Sequence, residues 1–247
     1  MMMLAMLSGM LTGVALGIFG SGGGIIVVPA LIYLLHLPPK EAIAMGLGII
    51  AITAVLSVVS HWRASNVDWR AAAIFGPIGM IGTYAGARVG AVVPASFQLG
   101  LFAVVMYIAA YRMLRKSAIV VGDGDRETHI FLLIAAGAGV GLLAGVVGVG
   151  GGFLIVPALV LLASVPMKRA VGTSLAVVSL NSASGFVGYM GTVPIHYALM
   201  GSFAAVTVIS SFTGAHFARR LHADTLKRAF AWSLVIAATY IMVKSVI

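Results

Sequence analysis

Residues 20–31 read GSGGGIIVVPAL and residues 148–159 read GVGGGFLIVPAL, so one glycine-rich stretch occurs twice, at an offset of 128 residues. Each copy interrupts a long apolar segment, the first of which runs from about Leu4 to His36. A run of glycines is unfavourable inside an α-helix, because each glycine costs about 1 kcal/mol relative to alanine. Matching breaks in two apolar segments are the pattern expected where half-helices meet at a binding site inside a membrane.

The composition indicates a membrane protein. Hydrophobic residues make up 61% of the 247 residues and charged residues only 9%, against about 45–50% and about 25% in soluble proteins. Many apolar runs reach the roughly 20 residues that a helix needs to cross a bilayer, whereas a β-barrel would show short alternating segments. We therefore predict an all-α polytopic protein in a lipid bilayer. The net charge of +9 does not predict nucleic-acid binding, because the basic residues lie between apolar segments, where membrane orientation explains them.

The chain is an internal duplication of one membrane unit. Between residues 13–47 and 141–175, 15 of 35 positions are identical, and the shared glycines and prolines are in register. Common hydrophobicity alone would not produce that register, so the repeat is real. We predict a first membrane repeat at 1–114, a polar linker at 115–129 and a second membrane repeat at 130–247, together forming a single transmembrane domain.

The distribution of basic residues predicts that the two repeats are inverted relative to each other. If each glycine-broken first helix is re-entrant, or is discontinuous and crosses twice, each repeat has an odd number of spans. Twelve Lys and Arg residues then lie on one side of the membrane, and only Lys40, Arg88 and Lys244 lie on the other. A single crossing divides them 8 to 7, without the asymmetry that the positive-inside rule requires. Both termini are therefore predicted outside the cytoplasm.

The glycine breaks and the polar residues after them are candidates for binding an anion. A helix that restarts after a break exposes backbone N–H groups at its positive end, although small residues also serve close helix packing. In the second repeat Ser174 and Asn181 share a helix face, being seven residues apart, although membrane hydroxyls often bond their own backbone. The predicted binding residues are Gly20, Ser21, Gly22, Gly23, Gly24, Gly148, Gly150, Gly151, Gly152, Thr173, Ser174 and Asn181.

Basic and aromatic residues near the segment ends are further candidates. Arg88 lies near the end of the segment 69–93 and could attract an anion into the pathway, or its side chain could extend to the membrane surface. His61, Trp62 and Arg63 follow the segment 42–60 and could form a vestibule, although Trp and Arg are also common interfacial anchors.

The acidic residues argue against several other functions. All six carboxylates lie in loops or at segment ends, whereas a cation carrier usually needs an acid inside the membrane. The sequence therefore favours an anionic or neutral solute. It shows neither paired catalytic carboxylates nor histidines at metal-ligand spacing, so no catalytic residue, metal site or cofactor is expected.

The two glycine motifs, each followed by PxKxA, and AVGTSL at 170–175 resemble the TauE/SafE sulfite-exporter family of permeases. The resemblance covers both halves and implies a secondary transporter of sulfite, sulfoacetate or other organosulfonates. It also implies alternating access between the repeats in the bacterial inner membrane. Residues 44–46 read AMG where 172–174 read GTS, so an asymmetric site is expected. An anion channel stays open as an alternative, an intramembrane enzyme is less favoured, and a homodimer could form.

Overall fold

A computed structural model describes residues 2–20, 23–115, 126–148, 150–161 and 165–246. These residues form ten α-helices and no β-strand, which confirms the all-α prediction. Residues 126–129, the end of the predicted linker, belong to the sixth helix. The helices are α1 (Met2–Phe19), α2 (Gly23–Tyr33), α3 (Pro39–Arg63), α4 (Trp69–Val92), α5 (Ala95–Leu114), α6 (Arg126–Val147), α7 (Gly152–Leu161), α8 (Met167–Tyr189), α9 (Tyr197–Arg220) and α10 (Ala223–Val246).

Within the described part of the chain, five helices are long and apolar enough to cross a membrane, namely α3, α5, α8, α9 and α10. Helices α3 and α8 are the central pair, because 72% of the most apolar window of each is buried, against 33–44% in the other three. Both begin directly after an equivalent proline, Pro38 or Pro166. Proline suits a helix start, because it has no N–H group to leave unsatisfied there.

The first helix of each repeat ends at an equivalent glycine. Gly20 follows α1 and Gly148 follows α6, and each donates its N–H to a carbonyl four residues back, at 2.8 Å. Their φ angles are +75° and +77°, a left-handed conformation that residues with a β-carbon seldom adopt. The right-handed helix therefore stops at the same place in both repeats.

The central helices α3 and α8 occupy equivalent positions in the two repeats and run antiparallel. Gly172, near the start of α8, packs against His61, near the end of α3. Gly185, near the end of α8, packs against Leu47, near the start of α3. The two repeats are thus joined along the full length of their third helices.

Glycines bring the first helix of each repeat, α1 or α6, into backbone contact with the opposite repeat. Gly145 of α6 lies on the Thr83 carbonyl of α4, and a methyl group at position 145 would overlap that oxygen. The equivalent Gly17 of α1 lies in the same way on the Ser211 carbonyl of α9. Small residues such as glycine commonly allow helix backbones to approach closely in membranes. Each first helix therefore packs on the fourth helix of the other repeat.

This contact predicts that Gly145→Ala destabilises the protein. The added methyl group must separate α6 from α4, which should lower the free energy of unfolding by about 1–3 kcal/mol. The matched control is Gly139→Ala in the same helix, where a β-carbon meets no atom within 4 Å. Thermal unfolding in detergent should show a lower midpoint for Gly145→Ala and no decrease for Gly139→Ala. Equal midpoints would contradict the close contact.

Candidate functional site

Each glycine that ends a first helix lies on the third helix of the other repeat. Gly20 packs against Val171 of α8, and a β-carbon at position 20 would lie 2.9 Å from the Ser174 hydroxyl. Gly148 packs against Ile43 of α3, the residue equivalent to Val171. Both breaks therefore lie where the two repeats meet. Ser21 and Gly22, which belong to the predicted site, lie outside the described residues.

The hydroxyls of Thr173 and Ser174 are buried and already donate to the backbone of α8. Ser174 Oγ donates to the Val171 carbonyl at 2.8 Å, and Thr173 Oγ1 donates to the Arg169 carbonyl at 2.7 Å. Thr173 Oγ1 also accepts the backbone N–H of Asp68 at 2.8 Å, which ties the α3–α4 connection to α8. The structure thus gives Thr173 a structural hydrogen bond to a distant part of the chain, and its role as an anion ligand stays a prediction.

Polar oxygens without partners collect where α8 meets α4 and the second break. Thr83 Oγ1, Asn181 Oδ1 and Ser182 Oγ are buried and have no hydrogen-bond partner. The Asn181 amide lies on Gly79 of α4, and the Ser182 hydroxyl lies against Gly150. Each unsatisfied buried polar group costs about 1–3 kcal/mol, so three in one region mark a candidate binding site. We call Thr83, Asn181 and Ser182 the polar cluster.

The three positions that the 128-residue offset relates to this cluster carry no such set of unpaired oxygens. Thr53, equivalent to Asn181, donates to the Ile49 carbonyl at 2.8 Å. Ala54 stands at the position of Ser182. Ser211, equivalent to Thr83, accepts a hydrogen bond from Ser57 at 2.8 Å. The polar cluster therefore has no counterpart at the offset positions, and it contains none of the residues 44–46 and 172–174 from which an asymmetric site is expected.

Asn181 is in the predicted set, whereas Ser182 and Thr83 are not. A comparison of the repeats at the 128-residue offset does not single out Ser182, because Ser179 as well as Ser182 has an alanine as its counterpart. The comparison does not mark Thr83 either, because its counterpart Ser211 carries a hydroxyl as well.

The remaining predicted residues lie away from the breaks or flank them. Arg88 is exposed on α4, and Trp62 and Arg63 are exposed at the end of α3. The Trp62 ring meets that of Trp69 edge to face at 6.1 Å, an arrangement typical of an aromatic belt at a membrane surface. His61 is buried. The described glycines Gly23, Gly24, Gly150, Gly151 and Gly152 lie at or just before the starts of α2 and α7.

A cavity of about 530 Å³ lies between α1, α2 and α10. Its lining is almost wholly apolar, so it does not suit a small anion, and none of the predicted binding residues lines it. No group of three or more His, Asp or Glu side chains that could hold a metal occurs in the described ranges. The lining residues are Leu7, Ser8, Leu11, Ala15, Phe19, Ile25, Ile26, Pro29, Ala30, Leu34, Ser233, Ile236, Ala237 and Tyr240.

Comparison with known proteins identifies the family. The profile of the sulfite exporter TauE/SafE family matches residues 5–241. The chain belongs to the TauE/SafE family. It is 29% identical to a probable membrane transporter protein of Xylella fastidiosa strain Temecula1, with 96% of this chain and 94% of the relative covered. It is 26% identical to the probable membrane transporter protein YdhB of Bacillus subtilis, with 97% and 100% covered.

A probable membrane transporter protein of the archaeon Methanocaldococcus jannaschii is 31% identical, with 76% of this chain and 72% of the relative covered. No solved structure matches the chain. The family match and the names of the relatives make this TauE/SafE protein a multi-pass membrane transporter.

The contacts of Thr173 predict that its hydroxyl stabilises the fold. Thr173→Val removes the acceptor for the Asp68 N–H and should lower the free energy of unfolding by about 1 kcal/mol. Thr173→Ser keeps the hydroxyl and should retain the wild-type thermal midpoint in detergent. If Thr173→Val instead leaves the midpoint unchanged and weakens anion binding, the residue is a ligand.

Proposed function

We propose that the protein is a secondary transporter that moves sulfite, sulfoacetate or other small organosulfonates across the bacterial inner membrane. One observation carries the proposal: each glycine break lies on the third helix of the opposite repeat, Gly20 on α8 and Gly148 on α3. Movement of one repeat against the other would therefore change both breaks together. Such coupled movement around a fixed site is the basis of alternating access.

The chemistry of the breaks suits an anion with several acceptor oxygens. A sulfonate carries one charge and three such oxygens, which match the backbone donors at a helix N-terminus. Among the described acidic side chains, Glu41, Asp68 and Asp224 all lie at helix starts, and none belongs to either glycine stretch. Arg88, exposed on α4, would attract the anion to the membrane surface.

The antiparallel packing of α3 and α8 supports inverted repeats. At one end of this pair, Glu41 lies 3.6 Å from His196, and Lys40 donates to the Ala91 carbonyl. At the other end, the Asp68 N–H meets Thr173. This second end holds the end of α3 and the starts of α4 and α8, where basic residues are frequent in the sequence. By the positive-inside rule it would face the cytoplasm.

The geometry of α1 and α2 supports a re-entrant first segment. Both helices line the apolar cavity along their lengths, from Phe19 and Ile25 beside the break to Leu7 and Leu34 at their far ends. Two helices that share one cavity in this way are expected to be the antiparallel arms of a hairpin. A hairpin would return the chain to its starting side, as the inverted arrangement requires, and both termini would then lie outside the cytoplasm.

Transport in proteoliposomes tests the function. Sulfite and a two-carbon sulfonate should enter with saturable kinetics and steep temperature dependence, because each turnover needs a conformational change, and an uncharged solute of similar size should not enter. Uptake of labelled solute against concentration provides the measurement. Unsaturable current that follows voltage would indicate a channel, and movement of another solute alone would show that the substrate class is wrong.

Cysteine labelling tests the orientation, since the chain contains no native cysteine. Ser117→Cys, in the linker outside the described residues, should resist an impermeant thiol reagent added to intact cells. Ser96→Cys, at an exposed position in the first turn of α5, should react readily, because it lies at the end that carries Lys40. The reverse labelling pattern would rule out the proposed orientation.

A further inference from the structure

The hydroxyl of Ser182 lies close to the start of α7 with its hydrogen-bonding capacity unused. Its side chain is 0% exposed, its Oγ has no hydrogen-bond partner, and it faces Gly150, two residues before α7 begins. Ser174 and Ser179 of the same helix instead donate to carbonyls three residues back, at 2.8 and 2.7 Å. A buried hydroxyl that does not bond its own backbone is unfavourable unless another group supplies the partner.

The first turn of α7 adds backbone donors beside this hydroxyl. The Ile155 N–H bonds the Gly151 carbonyl at 2.9 Å, so the amides of Gly152 and Phe153 come before this first regular helical bond. The N-terminus of a helix also carries a partial positive charge of about half an elementary charge. The φ angle of Gly150 is +66°, and a β-carbon there would overlap the Ser182 hydroxyl. Glycine therefore allows the hydroxyl to approach the start of α7.

The first repeat lacks this arrangement. Ala54 occupies the position equivalent to Ser182, so α3 offers no hydroxyl to the first break at that point. The nearby Ser57 and Ser211 hydroxyls bond each other. Among the residues that the structure describes, this donor set therefore occurs at the second break only.

We propose that a small oxyanion binds at the second break, where it accepts hydrogen bonds from Ser182 Oγ and from the backbone at the start of α7. The first break then serves only to pack Gly20 against Val171 of α8, and it binds no anion. This inference rests on the proposed function in taking a sulfur oxyanion as the ligand. The recognition chemistry itself requires only a compact anion with several acceptor oxygens.

Equilibrium binding to the purified full-length protein in detergent tests the site. Labelled sulfite is the probe, and sulfate, phosphate and a two-carbon sulfonate are competitors. Ser182→Ala should raise Kd about tenfold or more, because a hydrogen bond to a charged group is lost. The matched control is Ser179→Ala in the same helix, which removes a buried hydroxyl that bonds its own backbone and should leave Kd unchanged.

Ser182→Cys provides a variant that preserves the packing and weakens the donor, and its Kd should lie between those of the wild type and Ser182→Ala. Equal affinity in all three proteins would overturn the site, and so would failure of the wild type to bind any of the four oxyanions at millimolar concentration. Binding that depends on Ser182 without flux in proteoliposomes would support the site and count against the proposed function. Flux in proteoliposomes together with an unaltered Kd in Ser182→Ala would support the proposed function and count against the site.

Discussion

The backbone contact between each first helix and the fourth helix of the other repeat is the constraint on which the structure depends. Apolar side chains gain little by leaving lipid, so helices in a membrane associate through close packing and polar contacts. Gly145 on the Thr83 carbonyl, and Gly17 on the Ser211 carbonyl, give the closest packing that helices can make. Because α1 and α6 end within one turn of these glycines, the same contacts fix where each break lies. A β-carbon at either position would overlap the carbonyl oxygen on which that glycine lies.

The ends of the helices could be predicted from the sequence, whereas the helices that pack against each other could not. Pro38 and Pro166 precede the third helix of each repeat, and the glycine runs mark where the first helix of each repeat stops. These are local effects, because proline and glycine act on the backbone of their own segment. The partner of each break is a long-range property: Gly20 meets Val171 of the opposite repeat. The sequence also left two roles open for the glycines, close packing and anion binding. Gly17 and Gly145, which lie outside the glycine runs, serve close packing, and the role of the runs in anion binding stays a prediction.

The candidate site shows why a hydroxyl is harder to assign than an amide. Asn181 could be singled out from the sequence, because an amide in hydrocarbon must find partners. A serine can satisfy itself on its own helix, as Ser174 and Ser179 do, so sequence alone does not show that Ser182 differs from them. Thr173 shows that a hydroxyl can also hold a distant segment, because it accepts a hydrogen bond from the N–H of Asp68, 105 residues earlier in the chain. No spacing rule predicts that contact.

Duplication gives the protein two equivalent breaks but does not require both to bind the solute. Each break packs against the third helix of the other repeat, and Gly20 and Gly148 do so with nearly the same φ angle. Binding adds a further demand, since buried donors without a ligand destabilise the empty transporter. One set of such donors suffices for a single small anion, and a second set would add the same destabilisation without a second ligand. At the positions that the 128-residue offset relates to Thr83 and Ser182, Ser211 accepts a hydrogen bond from Ser57 and Ala54 has no hydroxyl, which is the arrangement that this argument favours.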